Sequence, residues 1–311
     1  LQIRRCQSMK CGIVDLGSNT IRLSIYYWEE PQFKLLLNKK EMTGLAGYIR
    51  GGVLSDSGIL TACRILEKFK SLLGNFNIQQ LYVFATAPLR NIVNTEEAVN
   101  TIRTVTGLEV TVLSGIEEAS LSFLGATKGG GAPEKGLLAD IGGGSTELVT
   151  YANSSITSEC SLPMGSLSLY SGYVAGLFPD KAERRAIRKR VDAELEKVHA
   201  AKVSCAHLTG VGGTIRAAAK LCNTLSGADP DNRSIPAAEI FDLFRRLKKG
   251  NQVALHQILR SVPDRVHTIL PGLLILTQIL KVYQVQTVLV SSYGVREGYL
   301  LGRIMEAENH V

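Results

Sequence analysis

With 311 residues, 45% hydrophobic and 20% charged, the chain has room for two compact lobes, and its composition excludes a disordered or fibrous protein. Its net charge of +7 favours acidic partners (nucleic acid, anionic membrane or polyphosphate-like ligands) without choosing among them. The six cysteines, Cys6, Cys11, Cys63, Cys160, Cys205 and Cys222, form no C-x-x-C pair and no metal-site spacing, which argues for a reducing, cytoplasmic location.

Residues 1–8 read as an upstream extension or a non-native remnant, because Met9 directly precedes the first strand. Arg4-Arg5 is not followed by an apolar segment, so no secretory or twin-arginine signal is expected. Runs 11–16, 21–27 and 33–38 are rich in branched residues and separated by Gly and Asn, which predicts three strands in hairpin succession. Apolar spacing predicts a helix over 55–73, with Ile59, Leu60, Cys63, Leu66, Phe69 and Leu73 on one face. A strand at 81–85, a helix at 95–105, a strand at 109–113 and a helix at 117–126 follow. The Gly-rich stretch 128–133 then reads as a linker. Beyond it come strands 136–141, 146–151 and 155–161, then mostly helix, with strands near 205–209 and 285–290. The most apolar run, 269–280, is broken by Pro271 and Gln278 and is too short to span a bilayer.

Each half thus opens with a three-strand meander, and the two openings share a register. "VDLGSNTIRL" from Val14 lies over "ADIGGGSTEL" from Ala139 with an offset of 125, so Asp15 meets Asp140, Gly17 meets Gly142 and Leu23 meets Leu148. This predicts a duplicated domain, with lobes over 9–128 and 129–311. In each copy an Asp ends a strand and small residues form the turn. Their backbone N–H groups can make a nest for phosphate oxygens. The Asp repels phosphate unless a divalent cation lies between them. The alternative is two unrelated tight hairpins.

Several stretches carry candidate chemistry. Ser114 and Glu117 fit a capping box, whereas Glu118 lies about 100° further round the helix and is available to act as a general base. Both glutamates could instead complement the helix dipole. Glu147 lies seven residues after Asp140 across the hairpin, as a second metal contact or a solvated strand residue. Arg90 could place its guanidinium on phosphate oxygens or stand as a surface arginine on a loop. Gly212, Gly213 and Thr214 form another Gly turn entering a helix, where Thr214 could cap the helix and the amides face an anion, or where the turn merely packs closely. Arg296 and Glu297 in "SSYGVREG" could pair. The run 181–190 holds six basic residues and one acid and reads as a helical face, solvated or steering a polyanion. There is no zinc spacing and no Walker Gly-Lys-Ser/Thr, and the aromatics do not interleave with the basic run.

Together "VDLGSNTIRL", "ATAPLRNIVN", "VLSGIEEASLSFLGA", "ADIGGGSTELV", "GVGGTIRAAA", "LPGLLIL" and "YGVREGYL" resemble the exopolyphosphatase / guanosine pentaphosphate phosphohydrolase (Ppx/GppA) family, in family order over residues 12–301. The resemblance implies an α/β fold of the actin, sugar kinase and Hsp70 superfamily, with two ribonuclease-H-like lobes facing an interlobe cleft. It implies Glu118 as catalytic base and phosphate contacts from Gly17, Ser18, Asn19, Arg90, Gly142, Gly143, Gly144 and Ser145. It makes Asp140 and Glu147 magnesium-associated carboxylates, with manganese as the substitute cation and Asp15 as a further candidate ligand. Gly212, Gly213 and Thr214 are further cleft candidates. The expected activity is removal of terminal phosphate from inorganic polyphosphate. The rivals are guanosine pentaphosphate as substrate and, from another class, an actin-like nucleotide-binding switch or a non-catalytic sensor protein. Neither nucleic acid nor membrane is an expected partner, and a homodimer is a candidate assembly. The chain resembles the short, two-lobe members. It lacks the Asp that the family often carries near Ser292, so no role is carried onto that segment.

Overall fold

A computed structural model describes residues 9–29, 32–128, 133–198 and 204–305. The extension 1–8 and positions 129–132 of the expected linker lie outside the described residues.

The chain divides into two compact units, 1–114 and 115–311. The first begins with β1 (Met9–Leu16), β2 (Thr20–Glu29) and β3 (Gln32–Met42). A short hairpin, β4 (Ile49–Arg50) and β5 (Val53–Leu54), leads to α1 (Asp56–Asn75), then β6 (Gln80–Ala85), α2 (Ala87–Arg90), α3 (Thr95–Thr106) and β7 (Val110–Val112). Its sheet order is β3-β2-β1-β6-β7, with the first three strands antiparallel and the rest parallel. Ser55 caps α1 by accepting from the Gly58 amide. Ile59, Cys63, Leu66, Phe69 and Leu73 face inward as their spacing predicts, and pack with Val14, Leu16, Ile21 and Leu23 of the sheet. Leu60, expected on the same face, is instead 51% exposed, because it lies one residue and about 100° round the helix from Ile59.

The second unit starts with α4 (Gly115–Lys128) and repeats the plan with β8 (Lys135–Ile141), β9 (Thr146–Ala152) and β10 (Ser155–Leu162). Helices α5 (Ser166–Tyr173) and α6 (Lys181–Lys197) follow, then β11 (His207–Val211) and α7 (Gly212–Ser226). The rest comprises β12 (Ser234–Pro236), α8 (Ala237–Leu247), α9 (Gln252–Ser261), α10 (Ile269–Val282), β13 (Thr287–Val290) and α11 (Val295–Tyr299). The order β10-β9-β8-β11-β13 reproduces the first sheet strand for strand, and β12 is added at the edge. Both units are therefore ribonuclease-H-like. The three-residue β12 ends in Pro236 and leaves no periodic signal in the sequence.

The boundary between units falls before α4, not after residue 128 as the Gly-rich stretch suggests. The reason is close packing within the second unit. A Cβ on Gly298 would run into the Leu121 backbone, and a Cβ on Gly125 into the Gly294 backbone, so α4 and α11 approach through glycine. Alternation along β8 then sorts the sheet faces. Leu137, Ala139 and Ile141 join the large core with α6, α7 and α10, while Leu138, Val149 and Tyr151 pack against Ala119, Phe123 and Ala126 of α4. Among the described residues no helix is long and apolar enough to cross a membrane.

Candidate functional site

The duplicated turns are alike in detail. In the first unit the Gly17 amide donates to the Thr20 carbonyl at 3.0 Å, and in the second the Gly142 amide donates to the Ser145 carbonyl at 3.0 Å, 125 residues on. Further amides hold each turn from behind. Thr43 and Gly44 donate to the Asn19 carbonyl, and Ala46 donates to that of Ser18. Ser166 donates to Gly142, while Leu167 and Ser168 donate to Gly143. A Cβ on Gly165 would overlap the Gly143 carbonyl, so glycine is what lets α5 begin there. Ser18, Asn19 and Ser145 are buried, and Asn19 Nδ2 has no hydrogen-bond partner among the described residues.

Three carboxylates gather in the second unit. Asp140 and Glu147 are directly opposed across β8 and β9, hence on one sheet face. That face is the one α4 covers, because Leu138 and Val149, one step of the alternation away, pack on α4. Ser122, one helical turn after Glu118, donates to Asp140 Oδ2 at 2.8 Å, so the α4 face carrying Glu118 is turned toward the pair. Ser161 of β10 donates to Glu147 Oε1 at 2.7 Å. Glu118, Asp140 and Glu147 are 8%, 8% and 1% exposed. Burial, and then the negative charges of Glu118 and Asp140, push Glu147 well above the usual carboxylate range, against the hydroxyls of Ser161 and Ser145. Burial also raises Asp140, opposed by Ser122 and by the charges of Arg216 and Arg296. Glu117 has a different setting: its side chain is 41% exposed and pairs with Arg303.

The Gly212 turn closes onto this cluster. Gly212 has φ 89°, in the left-handed region, and a Cβ there would stand 2.5 Å from Asp140 Oδ1. Thr214 does not cap α7 as its hydroxyl suggests. The N-cap is Val211, and Thr214 lies inside the first turn with Oγ1 buried and unpartnered among the described residues. Arg216 lies four residues after Gly212, and burial lowers its pKa, helped by the charges of Arg296 and Arg265 and opposed by those of Asp140 and Glu297. Arg265 lies against the Gly213 backbone. Glu297 accepts from the Gly294 amide at 2.8 Å, capping α11.

In the first unit, Arg90 ends α2 instead of standing on a loop, and its Nη1 donates to the Leu113 carbonyl at 3.1 Å. Asp15 is opposed by Arg22, the position equivalent to Glu147. Asp15 therefore faces a cation where Asp140 faces an acid.

The second unit thus brings together Glu118, Asp140, Glu147, Ser145 and the Gly142 and Gly212 turns. Asp15, the Gly17 turn and Arg90 belong to the first unit. Among the described residues no three His, Cys, Asp or Glu side chains form a ready-made metal cage. Sequence reasoning missed Ser122, Ser161, Arg216 and Arg265. Ser122 and Arg216 were within reach, each four residues from a recognised position on the same helix. Ser161 and Arg265 arrive through tertiary packing and leave no local signal.

The profile of the Ppx/GppA phosphatase family matches residues 24–307. The chain is 26% identical to the Aquifex aeolicus PPX-GPPA enzyme, with a TM-score of 0.78, covering 96% of this chain and 100% of that one. An exopolyphosphatase from Cytophaga hutchinsonii shares the fold at a TM-score of 0.83 and 21% identity, covering 96% and 98%. An exopolyphosphatase-like protein shares it at 0.86 and 20% identity, covering 97% and 99%.

Proposed function

The chain belongs to the Ppx/GppA phosphatase family, and from that premise we propose that it hydrolyses the terminal phosphoanhydride bond of inorganic polyphosphate, releasing orthophosphate. The observation that carries this reading is the buried trio Glu118, Asp140 and Glu147 beside the Gly142 and Gly212 turns. Glu118 accepts a proton from water as that water attacks the terminal phosphorus. The P–O bond to the shortened chain breaks, and orthophosphate leaves. Amides of Gly142 to Ser145 and of the Gly212 turn, with Arg216 and Arg296, stabilise the charge that develops on the transferred group, as positioning-dominated phosphoryl transfer requires. Within the first unit, the equivalent turn Gly17-Ser18-Asn19 is a candidate phosphate cradle of its own, with Arg90 as a candidate phosphate contact.

Magnesium or manganese fits the donor set. Asp140 and Glu147 supply hard oxygen ligands whose buried like charges call for compensation. When bound, the cation neutralises phosphate oxygens. Orthophosphate release from polyphosphate, measured with the native protein and with Glu118→Gln, tests the reading. Release by the native protein and its near loss in the variant are expected; equal rates would remove Glu118 as base.

A further inference from the structure

The N-terminal half of α6 carries a cationic face that the reaction does not use. Lys181, Arg184, Arg185 and Arg188 follow the i, i+3, i+4, i+7 spacing of one helix side. Together with Lys248, beyond α8, and Phe244, they line a recess of about 410 Å³. Its lining contains no carboxylate. The acids nearest in sequence are turned away: Asp180 accepts from the Glu183 amide, and Glu183 accepts from the amides of Asp180 and Ala175. The C-terminal half of the same helix is compensated, since Glu194 pairs with both Arg190 and Lys197. None of the five lining cations has such a pair among the described residues. Four of them moreover crowd the N-terminal half of a 17-residue helix, toward the end where the dipole already disfavours positive charge. A merely solvated face would distribute its acids along the helix.

We propose that this recess is a second anion site, which holds a segment of a condensed phosphate chain outside the reaction centre. Five cations from two helical segments match a repeating anion. Phe244 is buried, with the Lys248 ammonium 5.9 Å from its ring centroid, so no exposed aromatic face is offered to a base. That favours inorganic polyphosphate over nucleic acid. The choice of ligand rests on the polyphosphatase reading; the anion site itself does not.

The test is calorimetric titration of the Glu118→Gln protein with long-chain polyphosphate, tripolyphosphate and single-stranded RNA across a salt series. The comparison variant adds Arg185→Gln, Arg188→Gln and Lys248→Gln. Arg184 is spared because its Nη1 donates to the Pro179 carbonyl. The variant should keep its melting temperature and its tripolyphosphate affinity but bind long chains more weakly. Its slope of log affinity against log salt should flatten by about two, near 0.7 for each phosphate that the removed cations no longer neutralise. Unchanged long-chain binding, or an equal weakening for tripolyphosphate, would overturn the second site. RNA bound as tightly as polyphosphate and weakened in parallel would overturn the choice of ligand. If the native protein releases no phosphate from polyphosphate, the hydrolase reading fails while the binding comparison still decides the recess.

Discussion

Asp140 and Glu147 stand directly opposite each other across two antiparallel strands, and the equivalent positions of the first unit hold Asp15 and Arg22. The duplication thus kept its geometry and changed its charge. One copy sets an arginine opposite its strand-end aspartate. The other sets a second carboxylate against it, in a buried place where like charges repel.

In the proposed metal-assisted reaction, that difference favours Asp140 over Asp15 as the cation's ligand. Asp140→Asn should greatly weaken Mn²⁺ binding, measured by titration without turnover, as well as magnesium-dependent phosphate release. Asp15→Asn and the remote Cys63→Ser should leave Mn²⁺ affinity nearly unchanged. An equal weakening in Asp15→Asn would return Asp15 to the ligand set.

The two neighbouring glutamates should separate cleanly. Glu118→Gln should lower turnover by roughly 10²–10⁴, the scale expected when a general base is removed, with the fold intact. Glu117→Gln gives up an exposed pair with Arg303 and should leave turnover close to native. Steady-state kinetics of both variants decide the matter; a larger defect at Glu117 would reverse the assignment.

Burial raises both Asp140 and Glu147 above their unfolded values, so in the metal-free protein the folded state binds more protons than the unfolded one. Their contribution to stability is therefore full below the ordinary carboxylate range and is lost as pH rises through their raised pKa values. Melting temperature in excess chelator should fall over that window, and Glu147→Gln should flatten the fall. A melting temperature in which Glu147→Gln leaves the slope unaltered contradicts the shift.

Gly212→Ala tests the turn behind Asp140. The left-handed backbone alone should cost roughly 1–2 kcal/mol in denaturant unfolding. The new Cβ also presses on the Asp140 carboxylate, so activity should fall further than stability does. Full activity with only the stability loss would detach this turn from the site.

Much of this was legible in the sequence. The repeat of Asp15-Leu-Gly17 as Asp140-Ile-Gly142 announces the duplicated sheet, and apolar spacing places α1 and its buried face. What escaped was whatever depends on packing between distant elements. Helix α4 belongs to the second unit because Gly125 and Gly298 allow it to meet α11, and neither glycine says so locally. Ser161 reaches Glu147, and Arg265 reaches the Gly213 turn, only once sheet and helices are assembled. The cap proposed for Thr214 failed because α7 begins two residues earlier, at a glycine with positive φ.

The most direct measurement is orthophosphate release from long-chain polyphosphate, tripolyphosphate, guanosine pentaphosphate and ATP, compared side by side with magnesium, with manganese and in excess chelator. Release from the polyphosphates that exceeds release from either nucleotide, that stops in chelator and that falls by roughly 10²–10⁴ in Glu118→Gln is the expected result. Turnover of guanosine pentaphosphate above both polyphosphates, or full activity in chelator, would contradict the account.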